Sequence, residues 1–299
     1  MRKRRILSFL VLFLAVLFFS GYSFSQRKLK VFISVDMEGI AGIVHSDHTS
    51  SSGKDYNLAR RWMTAEVNAA IEGALKAGAT EIVVNDSHGS MRNVIISELN
   101  PFATLITGSP KSMSMMQGID ETFEAVFFIG YHARAGTKNG VLDHTYSGGS
   151  IYSIKINGME LGEYGINAAI AGWYKVPVVL IAGDEQVCEQ AKRAIGDELE
   201  TAVVKKGVGR YAAESLAPEK AQELIKKKTK MALQKRKIIK PFIIEPPFRF
   251  EVNFLRSFMA DAAELIPQVK RENARSVSFT SDDFIKGFKL LRALIYLAR

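Results

Sequence analysis

Short runs rich in Val, Ile, Leu and Phe recur from Lys28 to about Gly183, and several are apolar at consecutive positions. A strand with one face in water alternates apolar and polar residues. A strand apolar throughout needs cover on both faces, which is the condition of a parallel sheet held between helices. The runs at Val31 to Val35, Glu81 to Asn85, Ala103 to Ile106, Ala125 to Ile129, Ile151 to Ile156 and Val178 to Ala182 read as strands. Between them, Leu58 to Lys76 places Met63, Val67, Ala70, Ile71, Ala74 and Leu75 at helical period, with Gly78 suited to the C-terminal cap. A second helix follows Glu163 and stops before Val176-Pro177; a third spans about Glu185 to Ile195. Strand–helix alternation of this kind predicts an α/β fold with a mostly parallel sheet flanked by helices.

The texture changes after about Val204. A lysine-rich helix begins near Ser215 to Glu219, a strand covers Phe248 to Phe254, a short helix lies near Met259 to Leu265, Val277 to Phe279 is a strand, and a helix closes the chain from Ser281. The division expected is a catalytic α/β domain over 26–205 and a smaller α+β C-terminal lobe over 206–299. The lysines from Lys226 to Lys240 carry no interleaved aromatics, so they read as a solvated helix face and not as a nucleic-acid surface.

Met1-Arg2-Lys3-Arg4-Arg5, the apolar run Ile6 to Phe19 and the small residues after it have the layout of a secretory signal over 1–25. The apolar run is shorter than the ~18 residues of a membrane span, so the expectation is an exported protein, periplasmic or extracellular, with no stable span after cleavage. The leader holds four basic residues and no acid; without it the formal charge falls from +9 to +5. The basic character is thus partly that of the leader. A single cysteine, Cys188, excludes an internal disulfide and a thiolate zinc cluster, leaving nitrogen and oxygen as metal ligands.

Chemistry gathers at the ends of the predicted strands. Ser34-Val35-Asp36-Met37-Glu38-Gly39 closes the first one with two acids at i, i+2. Two like charges at the end of a buried strand need a cation between them. The carboxyl ends of strands are also where open α/β sheets bind ligands. His88 in Asn85-Asp86-Ser87-His88 and His132 in Gly130-Tyr131-His132-Ala133-Arg134 follow other apolar strands, and His144 lies in Gly140 to Thr145 before the next. One sheet would bring these residues to one rim, although no short zinc spacing is present. Asp86 and Asp143 adjoin histidines and suit either imidazole orientation or ordinary turn roles. His45 and His48, beside a serine-rich run, read as a mobile surface loop bordering the entrance and stay outside the metal set.

These motifs, with Gly-Glu-Tyr-Gly-Ile-Asn-Ala at 162–168, resemble in order those of the zinc D-aminopeptidases of peptidase family M55, most clearly from Lys30 to about Asp184. The resemblance implies two zinc ions per subunit, held by Asp36, Glu38, His88, His132 and Glu163, with Asp36 bridging and His144 as the catalytic histidine. It also implies short peptide substrates with a small N-terminal D-residue such as D-Ala, and a homo-oligomer, a decamer in the family. Glu163 enters only through the resemblance, because a glutamate at a helix start is ordinarily a dipole partner. A two-metal site lowers the pKa of a bound water toward neutrality, which favours water as the attacking group and His144 as proton carrier or oxyanion partner. The leader is a departure from the typical member. Two alternatives remain open at this stage: a dinuclear hydrolase of another bond, such as a phosphoester or other amide, and an exported zinc- or solute-binding protein without activity.

Overall fold

The computed structural model describes residues 28–298; the expected leader lies outside them. Its larger sheet contains β1 (Lys30–Val35), β2 (Glu81–Asp86), β3 (Ala103–Ile106), β4 (Ala125–Tyr131), β7 (Val178–Asp184), β8 (Glu200–Gly209) and β9 (Ala212–Ser215), in the order β3-β2-β1-β4-β7-β8-β9. All neighbours are parallel except β8 and β9. From β1 the chain winds one way through β2 and β3, then returns to β1's other side at β4 and winds outward. The strand order therefore reverses between β1 and β4, the crevice where such sheets bind ligands.

Alternate side chains of these strands feed two cores. Val31, Ile33 and Val35 of β1, with Phe127 and Ile129 of β4, pack against α1 (Tyr56–Lys76) and α4 (Pro218–Lys235). Phe32, Val126 and Phe128 face the other way, toward α2 (Glu163–Trp173), α3 (Glu185–Ile195) and the second sheet. Both faces are covered, which is why these runs are apolar at every position. The two helices of the first face meet closely at Gly73, where an added Cβ would lie 2.5 Å from the Lys226 carbonyl oxygen.

The second sheet is antiparallel, in the order β11-β12-β10-β5-β6, from β5 (Ile151–Ile156), β6 (Met159–Glu160), β10 (Phe248–Phe254), β11 (Lys270–Asn273) and β12 (Ser276–Ser281). Helices α5 (Ser257–Glu264) and α6 (Phe284–Leu297) accompany it. Thus Ile151 to Ile156 is a strand but not of the parallel sheet. Tyr152, 57% exposed, and Lys155 interrupt its apolar positions, as befits a sheet with one wetter face. The 205/206 division falls inside β8, and the smaller sheet takes β5 and β6 from before it.

The lysine-rich face of α4 lies over acids of its own chain. Lys226 pairs with Glu72, Lys228 and Lys235 both reach Glu200 at 3.0 and 2.8 Å, and Arg236 reaches Glu124 at 3.1 Å. Among the described residues no helix is long and apolar enough to cross a membrane.

Candidate metal centre

β1 ends at Val35, and the chain turns at once through Asp36 to Gly39. The Asp36 amide donates to the Ile129 carbonyl at 2.8 Å and the Gly39 amide to the Gly130 carbonyl at 2.8 Å, which ties the turn to the end of β4. Only glycine permits this approach: a Cβ on Gly39 would fall 1.9 Å from the Tyr131 carbonyl oxygen, and one on Gly130 (φ 68°) 2.2 Å from that of Asp36. Beneath the turn, the Ser34 hydroxyl meets Ser87 at 2.8 Å and Tyr131 at 2.7 Å, joining the ends of β1, β2 and β4.

Two donor groups form here: Asp36, Glu38 and His88, and His132, His144 and Glu163, with the ligating atoms of each group within 4.8 Å of one another. His88 Nδ1 lies 3.0 Å from Glu38 Oε2 and 3.4 Å from Asp36 Oδ1. His132 Nε2 lies 3.4 Å from Asp36 Oδ2 and 3.6 Å from Glu163 Oε1. Asp36 thus turns one oxygen toward each group. His144 Nε2 is 3.7 Å from Glu163 Oε1, and its ring stacks on that of His132 with centroids 4.1 Å apart.

The outer nitrogen of each imidazole is committed to a backbone carbonyl: His88 Nε2 to Thr49 at 2.8 Å, His132 Nδ1 to Ala133 at 2.9 Å, and His144 Nδ1 to Leu142 at 2.9 Å. Each carbonyl accepts an N–H, so a neutral ring would turn the lone pair of its inner nitrogen toward the carboxylates. His132 Nε2 is buried with no hydrogen-bond partner. Stripped of protons, these lone pairs and anions would repel, and divalent cations are what this donor set fits.

The proton affinities carry the same message. Burial pushes Asp36 up to about 7, and the charge of Glu38 adds to it. Burial also opposes ionisation of Glu38, but His88 overrides it and holds the carboxyl well below its usual range. For His88 burial is again outweighed, here by Glu38 and Asp36, which hold the ring well above the ordinary value. Burial opposes charge on His132 too, yet Glu163 drives it up to about 10. His144 moves the other way, lowered by burial and by the positive charge of His132, so its ring stays neutral. Protons on His88 and His132 occupy the electrostatic role of cations.

The remaining sequence candidates have other work. Asp86 accepts the amides of Asn93 and Val94 at 2.5 and 2.7 Å and shapes the loop after β2. Asp143 accepts the amides of Gly136 and Thr137 at 2.7 and 3.2 Å and pairs with Arg210. His45 caps a single helical turn, Ser46–Thr49, accepting the Asp47 amide at 3.2 Å, while His48 stacks on Trp62. That turn meets the centre through the Thr49 carbonyl.

Lys205 and Glu66 were not foreseen. Buried Lys205 of β8 donates to the carbonyls of Glu38, Ile40 and Ile43 at 2.5, 2.8 and 2.5 Å, using all three ammonium protons on the turn that carries the acids. Glu66 of α1 accepts the Ala41 amide of the same turn at 2.9 Å. The available signal was a lysine directly after the apolar Val203-Val204.

Two donor groups sharing a carboxylate, at the reversal point of a parallel sheet, define a metal-dependent hydrolase. The chain belongs to the D-aminopeptidase family, Peptidase M55, whose family model matches residues 29–293. It is 37% identical over 273 residues to a D-aminopeptidase of Bacillus subtilis (strain 168), covering 90% of this chain and 98% of that protein. The solved structure of the Zn-dependent D-aminopeptidase DppA from Bacillus subtilis, described as a self-compartmentalizing protease, superposes with a TM-score of 0.88 at 36% identity. That match covers 90% of this chain and 98% of the other.

Proposed function

We propose that the protein is a zinc-dependent D-aminopeptidase that removes a small N-terminal D-residue, such as D-Ala, from short peptides. The observation that carries this reading is the pair of donor groups meeting at Asp36 with imidazole lone pairs turned inward. Asp36, Glu38 and His88 would hold one zinc ion, and Asp36, His132 and Glu163 the other. Bound zinc supplies Lewis acidity at the scissile carbonyl and activates water near neutral pH.

The chain's own residues do the rest. Neutral His144, with Nδ1–H on the Leu142 carbonyl, can accept a proton at Nε2 and return it to the leaving amine. Its side chain is 20% exposed where that of His132 is 1%, so His144 is the imidazole open to substrate. The free α-amine of the substrate would lie at the metal-bearing side of the pocket, beside Asp36 and Glu163, which suits an exopeptidase. The D-preference is taken from the family. From the same relatives and from the leader come a compartmentalised homo-oligomer, read as a decamer, and export to the periplasm or beyond. The division into a catalytic unit and a smaller C-terminal lobe is likewise part of this reading.

Metal analysis of the leader-free protein, paired with hydrolysis of D-Ala and L-Ala p-nitroanilides, tests it. Two zinc ions per chain and D-selective release are expected. His144→Ala should keep both ions and lose about 10²- to 10⁴-fold in kcat. Phosphatase activity without peptidase activity would overturn the reading.

A further inference from the structure

The pocket over the donor groups has a second wall that the chemistry above does not use. It holds about 110 Å³ and is lined by Asp36, His88, His144 and Glu163 together with Ser114, Tyr146 and Arg292. Arg292 comes from α6, in the layer of the antiparallel sheet, and is only 8% exposed.

A guanidinium cannot shed its charge on burial, so it needs compensation where it stands. The rings of Tyr146 and Tyr296, with centroids 4.9 and 5.1 Å from its central carbon, supply part of that. Its hydrogen bonding is thin. One Nη2 contact to the Tyr296 hydroxyl measures 3.4 Å, Nε is buried with no partner, and no carboxylate among the described residues forms an ion pair with it. Ser114, on the same wall, has a buried hydroxyl that is also without a partner. Its backbone is held at φ 49°, a region a serine rarely adopts. Unsatisfied buried donors are rare in folded proteins, and here the two residues that bear them both line one small pocket.

We infer that Arg292 and Ser114 form a recognition site for the free carboxylate of the substrate, making the enzyme selective for peptides over their C-terminal amides. This deepens the aminopeptidase reading and rests on it. The metal-bearing side of the pocket would take the free amine, and the guanidinium meets the carboxylate end with a planar fork that fits it. A C-terminal amide would lack the charge.

The test is the ratio of kcat/KM for D-Ala-D-Ala to that for its C-terminal amide, measured on the zinc-loaded full protein. A hydrogen-bonded charge pair predicts a wild-type ratio of about ten- to a hundredfold. Arg292→Met should bring the ratio to about one, Arg292→Lys should keep part of it, and Ser114→Ala should lower it less than Arg292→Met. Both substrates are read on one preparation, so partial misfolding cancels. A wild-type ratio near one, or a ratio untouched by Arg292→Met, overturns the inference. If the wild type cleaves neither substrate, the aminopeptidase reading fails instead. Calorimetric binding of intact D-Ala-D-Ala to wild type and Arg292→Met then decides the Arg292 site alone, equal affinities refuting it.

Discussion

The two sheets divide the labour of this molecule. The parallel sheet, buried on both faces, brings its chemistry to the strand ends, where β1, β2 and β4 deliver Asp36, Glu38, His88 and His132. The antiparallel sheet alternates buried and exposed positions, as in β10, and sends the helix bearing Arg292 over the pocket. A rigid, dry sheet suits close placement of like charges, because its strand ends cannot relax apart. The more exposed layer is free to differ and to set which substrates fit.

That contrast can be tested from its strongest point outward. Asp36→Ala removes the carboxylate shared by both donor groups; turnover should fall below detection and zinc content below two per chain by metal analysis. If Asp36→Ala keeps both ions, the shared-carboxylate account is wrong. Lys205→Met strands three carbonyls of the turn behind the acids, for a loss of about 3–5 kcal/mol by denaturant unfolding. Zinc affinity should fall about 10- to 100-fold with it, as for other residues that orient ligands.

Glu66 gives a smaller, pH-dependent effect. Burial pushes its carboxyl from 4.5 up to about 7, offset in part by the Ala41 amide and Lys205. The folded state therefore holds the proton more tightly than the unfolded chain. The stabilisation is full below about pH 4.5 and is lost as pH rises to about 7, on the order of 3 kcal/mol. Glu66→Gln should flatten this part of the stability–pH curve, and an unchanged curve would refute the assignment. At the small end, Arg249→Ala breaks the exposed pair with Glu272 on the antiparallel sheet. Thermal melting should register little or no change, with zinc content unaltered.

The sequence revealed the parallel sheet because its burial on both faces leaves a local mark, and it revealed Asp36, Glu38, His88 and His132 because each follows such a mark. Glu163 was visible only by likeness to a family. A glutamate opening a helix has a sufficient local explanation, and its approach to His132 and His144 depends on how α2 docks. The placement of β5 was hidden for a related reason, since partner and direction are long-range facts. Lys205 reads locally as the end of an apolar run, and Arg292 as one more cation on a helix with Lys286 and Lys289. Burial of a charge is a property of the assembled layers, and no window of sequence contains it.

Gly39 and Gly130 carry one more consequence. The gap between the two halves of the centre is cast in main chain, where β1 and β4 touch without a side chain between them. Rotamers can retune the socket's rim but not its bore. An engineer wanting this scaffold to accept a wider pair of ions must begin by wedging those two strands apart.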